Sequence, residues 1–231
     1  MGYDTDEMIK IFNYFSRSVM AISPRDIFNG MKEVRGIRLG GITSSKNIEL
    51  AIEEAARLKD IKNIKDIKIP IVIPATDLIS DKEYVFTNYK DLDKEEYIHD
   101  IEIGKAVRAS STFPGMYAPF EYDKYQFVDG GVFNNVPTEE TRKLGVDKVI
   151  SVVFKLKNSK KQKTLYNVTM KSLDLMTYNL MEKSIKKSDY VIEIDLKDVK
   201  PFSIKKLDFA YQQGYMQTLD HISKIKETIN K

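Results

Sequence analysis

The chain of 231 residues contains no cysteine. Disulfides, thiolate metal sites and cysteine nucleophiles are therefore excluded, and the redox compartment is left open. Histidine is nearly as scarce. His99 and His221 are the only two, far apart and in no metal-ligand spacing, so no metal centre is expected. There is no apolar run long enough to span a bilayer and no signal-peptide pattern at the start, so a cytoplasmic or peripheral-membrane location is expected. An excess of one charge is also missing: 37 Lys and Arg against 34 Asp and Glu give a formal net charge of +3. A cationic nucleic-acid binder concentrates a larger excess. Lysine also greatly outnumbers arginine, the residue suited to bidentate phosphate and base contacts, so no nucleic acid is expected as a partner. No glycine-rich phosphate loop follows a strand, which disfavours a nucleotide-binding protein, and no cofactor is expected.

What remains is an ordinary globular composition, 42% hydrophobic and 31% charged, in a chain long enough for one α/β domain over residues 1–231. Asp4 and Glu7 form a capping-box pattern ahead of Met8, Ile9, Phe12, Phe15 and Val19 at helical spacing, which predicts a buried amphipathic helix to about Met20. A short helix over Arg25–Val34 and a strand-and-turn region at Gly36–Gly41 are expected next. Ser44 or Ser45 then caps a helix with Ile48, Ala51, Ile52, Ala55 and Leu58 inward and a Glu53–Arg57 pair outward. Ile69–Ala75 is nearly all apolar and rich in β-branched residues, as in a central strand, with Glu83–Thr87 returning as its hairpin partner. Further strands are expected at Tyr125–Val128, Asp147–Phe154 and Tyr190–Leu196. Helices are expected at Ile103–Phe113, Pro137–Leu144, about Leu165–Lys186 and about Asp208–Ile229. Strands separated by helices predict a mostly parallel α/β sheet with helices on both faces.

Chemistry concentrates between Lys105 and Pro137. Here Asp129 closes a strand and is followed by Gly130 and Gly131. Alone, Asp-Gly-Gly is a common turn, and a structural turn is the favoured reading. The same geometry suits a general base, since the glycines let backbone come close to a ligand or a partner side chain.

The surrounding pieces shift that balance. Ala106-Val107-Arg108-Ala109-Ser110 leading to Phe113-Pro114-Gly115, then Val128-Asp129-Gly130-Gly131-Val132 with Asn134-Asn135-Val136-Pro137, resemble the patatin-like phospholipases, bacterial acyl hydrolases among them. Ala75-Thr76-Asp77-Leu78 and Leu144-Gly145-Val146-Asp147 are similar to that family too. The resemblance covers about residues 1–154, and a helical region 155–231 is compatible with it. It implies a three-layer α/β/α fold and hydrolysis of lipid acyl esters by a Ser/Asp dyad. In that dyad the serine sits in a G-x-S-x-G elbow, the aspartate takes its proton, and backbone N–H groups stabilise the oxyanion. By this resemblance Asp129 matches the base, and Gly130 and Gly131 complete its motif.

No G-x-S-x-G occurs in the chain; Gly40-Gly41-Ile42-Thr43-Ser44 is nearest and places the serine wrongly. The resemblance therefore implies an N-terminally truncated domain beginning just after the nucleophile helix, inactive alone and prone to self-association through an exposed sheet edge. The alternative is a non-catalytic remnant that binds lipid or a partner protein. Ser110 and Ser111 read as small packing residues rather than substitute nucleophiles. Arg108 reads as a structural ion pair ahead of a phosphate contact. Asn134 and Asn135 read as shaping the turn by Asx-type bonds, with a substrate contact as the minority reading. Asp77 belongs to a turn. The basic stretch Lys155–Lys163 is by default a solvated loop, although it could touch anionic lipid head groups.

Overall fold

The computed structural model describes residues 1–20, 44–155, 161–197, 199 and 206–231, the side chains of 17–20 and 166 excepted. The helix expected at Arg25–Val34, the strand-and-turn at Gly36–Gly41 and most of Lys155–Lys163 lie outside the described residues. The chain divides into two compact units, Met1–Phe133 and Asn134–Lys231.

The first unit opens with α1 (Thr5–Met20). Its capping box forms as expected: Glu7 N–H donates to Asp4 Oδ1 at 2.8 Å and Asp4 N–H to Glu7 Oε2 at 3.0 Å. The Tyr3 hydroxyl donates to the Ala55 carbonyl at 2.5 Å, pinning the start of α1 to α2 (Lys46–Arg57). Of the expected apolar face, Ile9 and Phe15 are half-buried while Met8 and Phe12 are exposed. Helical spacing marks such a stripe without fixing how much of it is covered. In α2, Ala51, Ala55 and Ala56 are buried, but Leu58 lies past the helix end and is exposed. Arg57 pairs with Glu54 at 2.7 Å rather than with Glu53, whose side chain lies against Gly104 instead.

Five strands form one sheet in the order β3-β2-β1-β5-β4: β1 (Val72–Asp77), β2 (Lys82–Thr87), β3 (Tyr97–Ile98), β4 (Phe120–Tyr122) and β5 (Tyr125–Asp129). The α/β class stands as expected, and β1 is central. The expectation of mostly parallel pairing needs correction here, because β1–β2, β1–β5 and β4–β5 are antiparallel and only β2–β3 is parallel. Tight turns join β1 to β2, the hairpin expected, and β4 to β5, and such turns can only close antiparallel pairs. The antiparallel β1–β5 pairing instead joins strands far apart in the chain. β1 also starts at Val72 rather than Ile69. The segment before it is clamped by Asn88, whose amide donates to the carbonyls of Ile67 (2.6 Å) and Ile69 (2.8 Å).

Helix α3 (Ile103–Ser110) packs on β1 and β5 and against α2. A Cβ on Gly104 would fall 2.8 Å from the Glu49 carbonyl oxygen, so glycine is what lets these helices approach. The core beneath includes Phe86, Phe127, Ile64 and Ile101, with Phe86 and Phe127 rings edge-on at 5.3 Å. Each such side chain contributes about 1.5–3 kcal/mol by leaving water. The one-turn helix α4 (Gly131–Asn134) follows β5.

The second unit holds α5 (Thr138–Arg142), β6 (Ile150–Phe154), α6 (Leu165–Ile185), β7 (Tyr190–Ile194) and α7 (Leu207–Ile229). Here β6 and β7 pair in parallel across the connecting α6, as crossover geometry requires. Helix α5 is shorter than expected, with Pro137 as its cap residue, and β6 begins at Ile150 rather than Asp147. His221 on α7 meets the Tyr190 hydroxyl at 2.7 Å.

Candidate active site

Asp129 is the last residue of β5 and the last to pair with β1, opposite Ala75. The next residue of β1 toward its start is Pro74, which has no N–H to continue the ladder. Gly130 therefore leaves the sheet directly against Pro74, where a Cβ would sit 2.3 Å from the Pro74 carbonyl oxygen. That contact alone requires glycine at 130, and its partner is backbone rather than a ligand.

The Asp129 backbone is held on two sides. Its N–H donates to the Thr112 carbonyl at 3.0 Å, and its carbonyl accepts from the Thr76 hydroxyl at 3.3 Å. Gly130 N–H reaches the Ser110 carbonyl at 3.4 Å. The carboxylate receives the Gly131 N–H at 2.8 Å. Burial pushes the Asp129 carboxyl above the ordinary aspartate range, opposed only by that Gly131 bond. An aspartate so placed is more basic than one in water, the direction general-base chemistry needs.

Arg108, on the last turn of α3, does not contact Asp129. Its Nη1 donates to Glu49 Oε2 at 2.7 Å, its Nε to Ser45 Oγ at 3.0 Å, and its guanidinium lies 4.2 Å from the Phe120 ring centroid. The structural ion pair is thus formed. Glu49 is 2% exposed and also bonds Lys46. Burial pushes its carboxyl up, but the hydrogen bonds and charges of Lys46 and Arg108 outweigh this and hold it below the ordinary range. Ser45 precedes α2 without capping it; its hydroxyl meets Thr112 Oγ1 at 2.9 Å instead.

Asp77 accepts from Ser80 Oγ at 2.6 Å and Gln126 N–H at 2.8 Å, the turn role expected of it. Ser110 ends α3 and Ser111 caps it, so neither sits on a strand-to-helix elbow. Asn134 closes α4, while exposed Asn135 lines a cleft of about 450 Å³ in the second unit together with Thr138, Lys148 and Ser151. Both His99 ring nitrogens face backbone carbonyls, those of Thr87 (3.1 Å) and Leu92 (2.9 Å).

Residues 1–142 match the sequence profile of the family described as Patatin-like phospholipase. The chain belongs to that family. This patatin-like chain is 33% identical over 108 residues to a probable lipid hydrolase, 463L, of Invertebrate iridescent virus 6, a match covering 43% of the chain and 34% of that relative. It is 31% identical over 103 residues to probable inactive patatin-like protein 9 of Arabidopsis thaliana, covering 41% of the chain and 26% of that relative. The matches thus span about a third or less of those relatives' lengths. Among the described residues no helix is long and apolar enough to cross a membrane.

Glu49, Ser45 and Thr112, all of which bond to Arg108, were not singled out together in the patatin-like sequence. Glu49 and Arg108 are separated by 59 positions and Ser45 and Thr112 by 67, and no local pattern links them.

Proposed function

We propose that the chain carries the aspartate half of a lipid acyl-ester hydrolase site, with Asp129 as general base and Gly130 and Gly131 shaping its turn. The observation that carries this reading is the Asp129 carboxyl itself, held at the end of a buried strand, raised in basicity by burial, and bonded to Gly131 N–H. The base would remove a proton from a serine hydroxyl as it attacks an ester carbonyl. No G-x-S-x-G lies within these 231 residues, so the hydroxyl would come from polypeptide outside them. The substrate class is a lipid acyl ester, met at a peripheral lipid surface. Asn134, Asn135 and Arg108 take shaping rather than chemical roles.

The pure chain should not turn over a short-chain p-nitrophenyl ester, and Asp129→Asn should leave that absent turnover unchanged. Robust turnover abolished by Asp129→Asn would show a complete site and overturn the half-site reading. A second reading, a non-catalytic binding remnant, is favoured by the missing elbow and by the relative named as inactive. It gains if a G-x-S-x-G segment supplied in trans restores no Asp129-dependent turnover.

A further inference from the structure

Three side chains behind Asp129 close a ring whose direction chemistry fixes. A guanidinium can only donate and a carbonyl can only accept. Arg108 Nε–H therefore donates to Ser45 Oγ at 3.0 Å. At the other end Thr112 Oγ1–H donates to the Arg108 carbonyl at 2.7 Å. The remaining contact, 2.9 Å between Ser45 Oγ and Thr112 Oγ1, has one orientation left, with Ser45 donating. Every member then has its partner, and Ser45 and Thr112 are both 0% exposed. A closed, fully satisfied buried ring holds one geometry, because breaking any bond leaves a buried polar group unpaired.

The ring ties the residue preceding α2 to the residues ending α3. Thr112, in the ring, presents the carbonyl that accepts Asp129 N–H. We infer that the Arg108–Ser45–Thr112 ring is the positioning device of the catalytic aspartate. It sets where the end of β5 lies and how much water reaches the carboxylate, without touching that carboxylate. Resting on Asp129 as the base, the inference makes Ser45 and Thr112 positioning residues for the same reaction.

The test compares Thr112→Val, which removes the hydroxyl at nearly constant shape, with Thr112→Ser, which keeps it. Two NMR readouts are taken on the chain with no ester present: amide hydrogen exchange at Asp129 and Gly130, and the titration of the Asp129 carboxyl carbon. Thr112→Val should speed exchange at those two amides about tenfold or more relative to the core amide of Phe86. It should also move the Asp129 titration toward the ordinary aspartate range, while Thr112→Ser stays close to the parent in both. Should Thr112→Val not fold, Ser45→Ala opens the ring from the other side and is read the same way. Exchange that rises equally at Asp129 and Phe86 with an unmoved titration would reduce the ring to plain stability and overturn the inference. Thr112→Ser behaving like Thr112→Val would do the same. Neither readout depends on turnover, so an inactive chain leaves the ring standing and a failed ring leaves Asp129 as base.

Discussion

The first unit treats two carboxylates in opposite ways: the ring residue Arg108 binds the Glu49 carboxylate, whereas the ring residue Thr112 holds the backbone N–H of Asp129 and not its carboxylate. Glu49 is almost fully buried and has two cationic partners, Arg108 and Lys46. Asp129 is largely withdrawn from water, and among the described residues the charge-compensating contact to its carboxylate is the Gly131 backbone N–H. Burial raises both, and only in Glu49 do partners reverse it. A compensated carboxylate is a strut. Burial without a cationic partner instead raises basicity, the same lever by which acid–base groups are tuned in reactive sites.

The sharpest way to break that contrast is to remove the strut. Arg108→Ala should cost about 3 kcal/mol in urea denaturation, since it leaves a buried carboxylate with Lys46 alone and opens the ring. Arg108→Lys should recover only part, because an ammonium cannot serve Glu49 and Ser45 with one planar fork. At the other end, Gly130→Ala should cost about 3 kcal/mol by driving a methyl into the Pro74 carbonyl.

The smallest effect is in the pH dependence, and its sign differs between the two groups. Glu49, depressed in the fold, contributes stability that is present above its unfolded pKa and lost as pH falls through the folded one. Glu49→Gln should therefore lose most against the parent at pH 7 and converge with it in acid. Asp129 is raised in the fold. Its contribution is complete below its unfolded pKa and is lost as pH rises through the folded one. Asp129→Asn should melt above the parent at pH 7, with the advantage vanishing in acid. Thermal melts from pH 3 to 7 read both, and curves of the same sign would end the contrast.

Much of the first unit was legible in sequence. The capping box at Asp4 and Glu7 works through four adjacent residues, and the Asp77 turn works through hydrogen bonds that begin two and three positions away. Local rules suffice for both. The β1–β2 hairpin was legible, but the rest of the sheet direction was harder to read, because helices between strands suggest parallel pairing while β1 meets the distant β5 antiparallel and a two-residue turn joins β4 to β5. The Glu53–Arg57 pair failed for a related reason. Spacing of four allows that contact, but the close approach of Gly104 claims Glu53 for the helix interface.

By itself the sequence determined that Asp129 would close a short strand and lead into a glycine turn, because strand and turn preferences act over a few residues. Local spacing already set Lys46 beside Glu49; tertiary structure decided that Arg108 would join it and that, among the described residues, no cation would pair with Asp129. Electrostatic compensation depends on which charges the folded chain brings within a few ångströms, and the guanidinium that reached Glu49 was delivered from 59 residues away by helix packing.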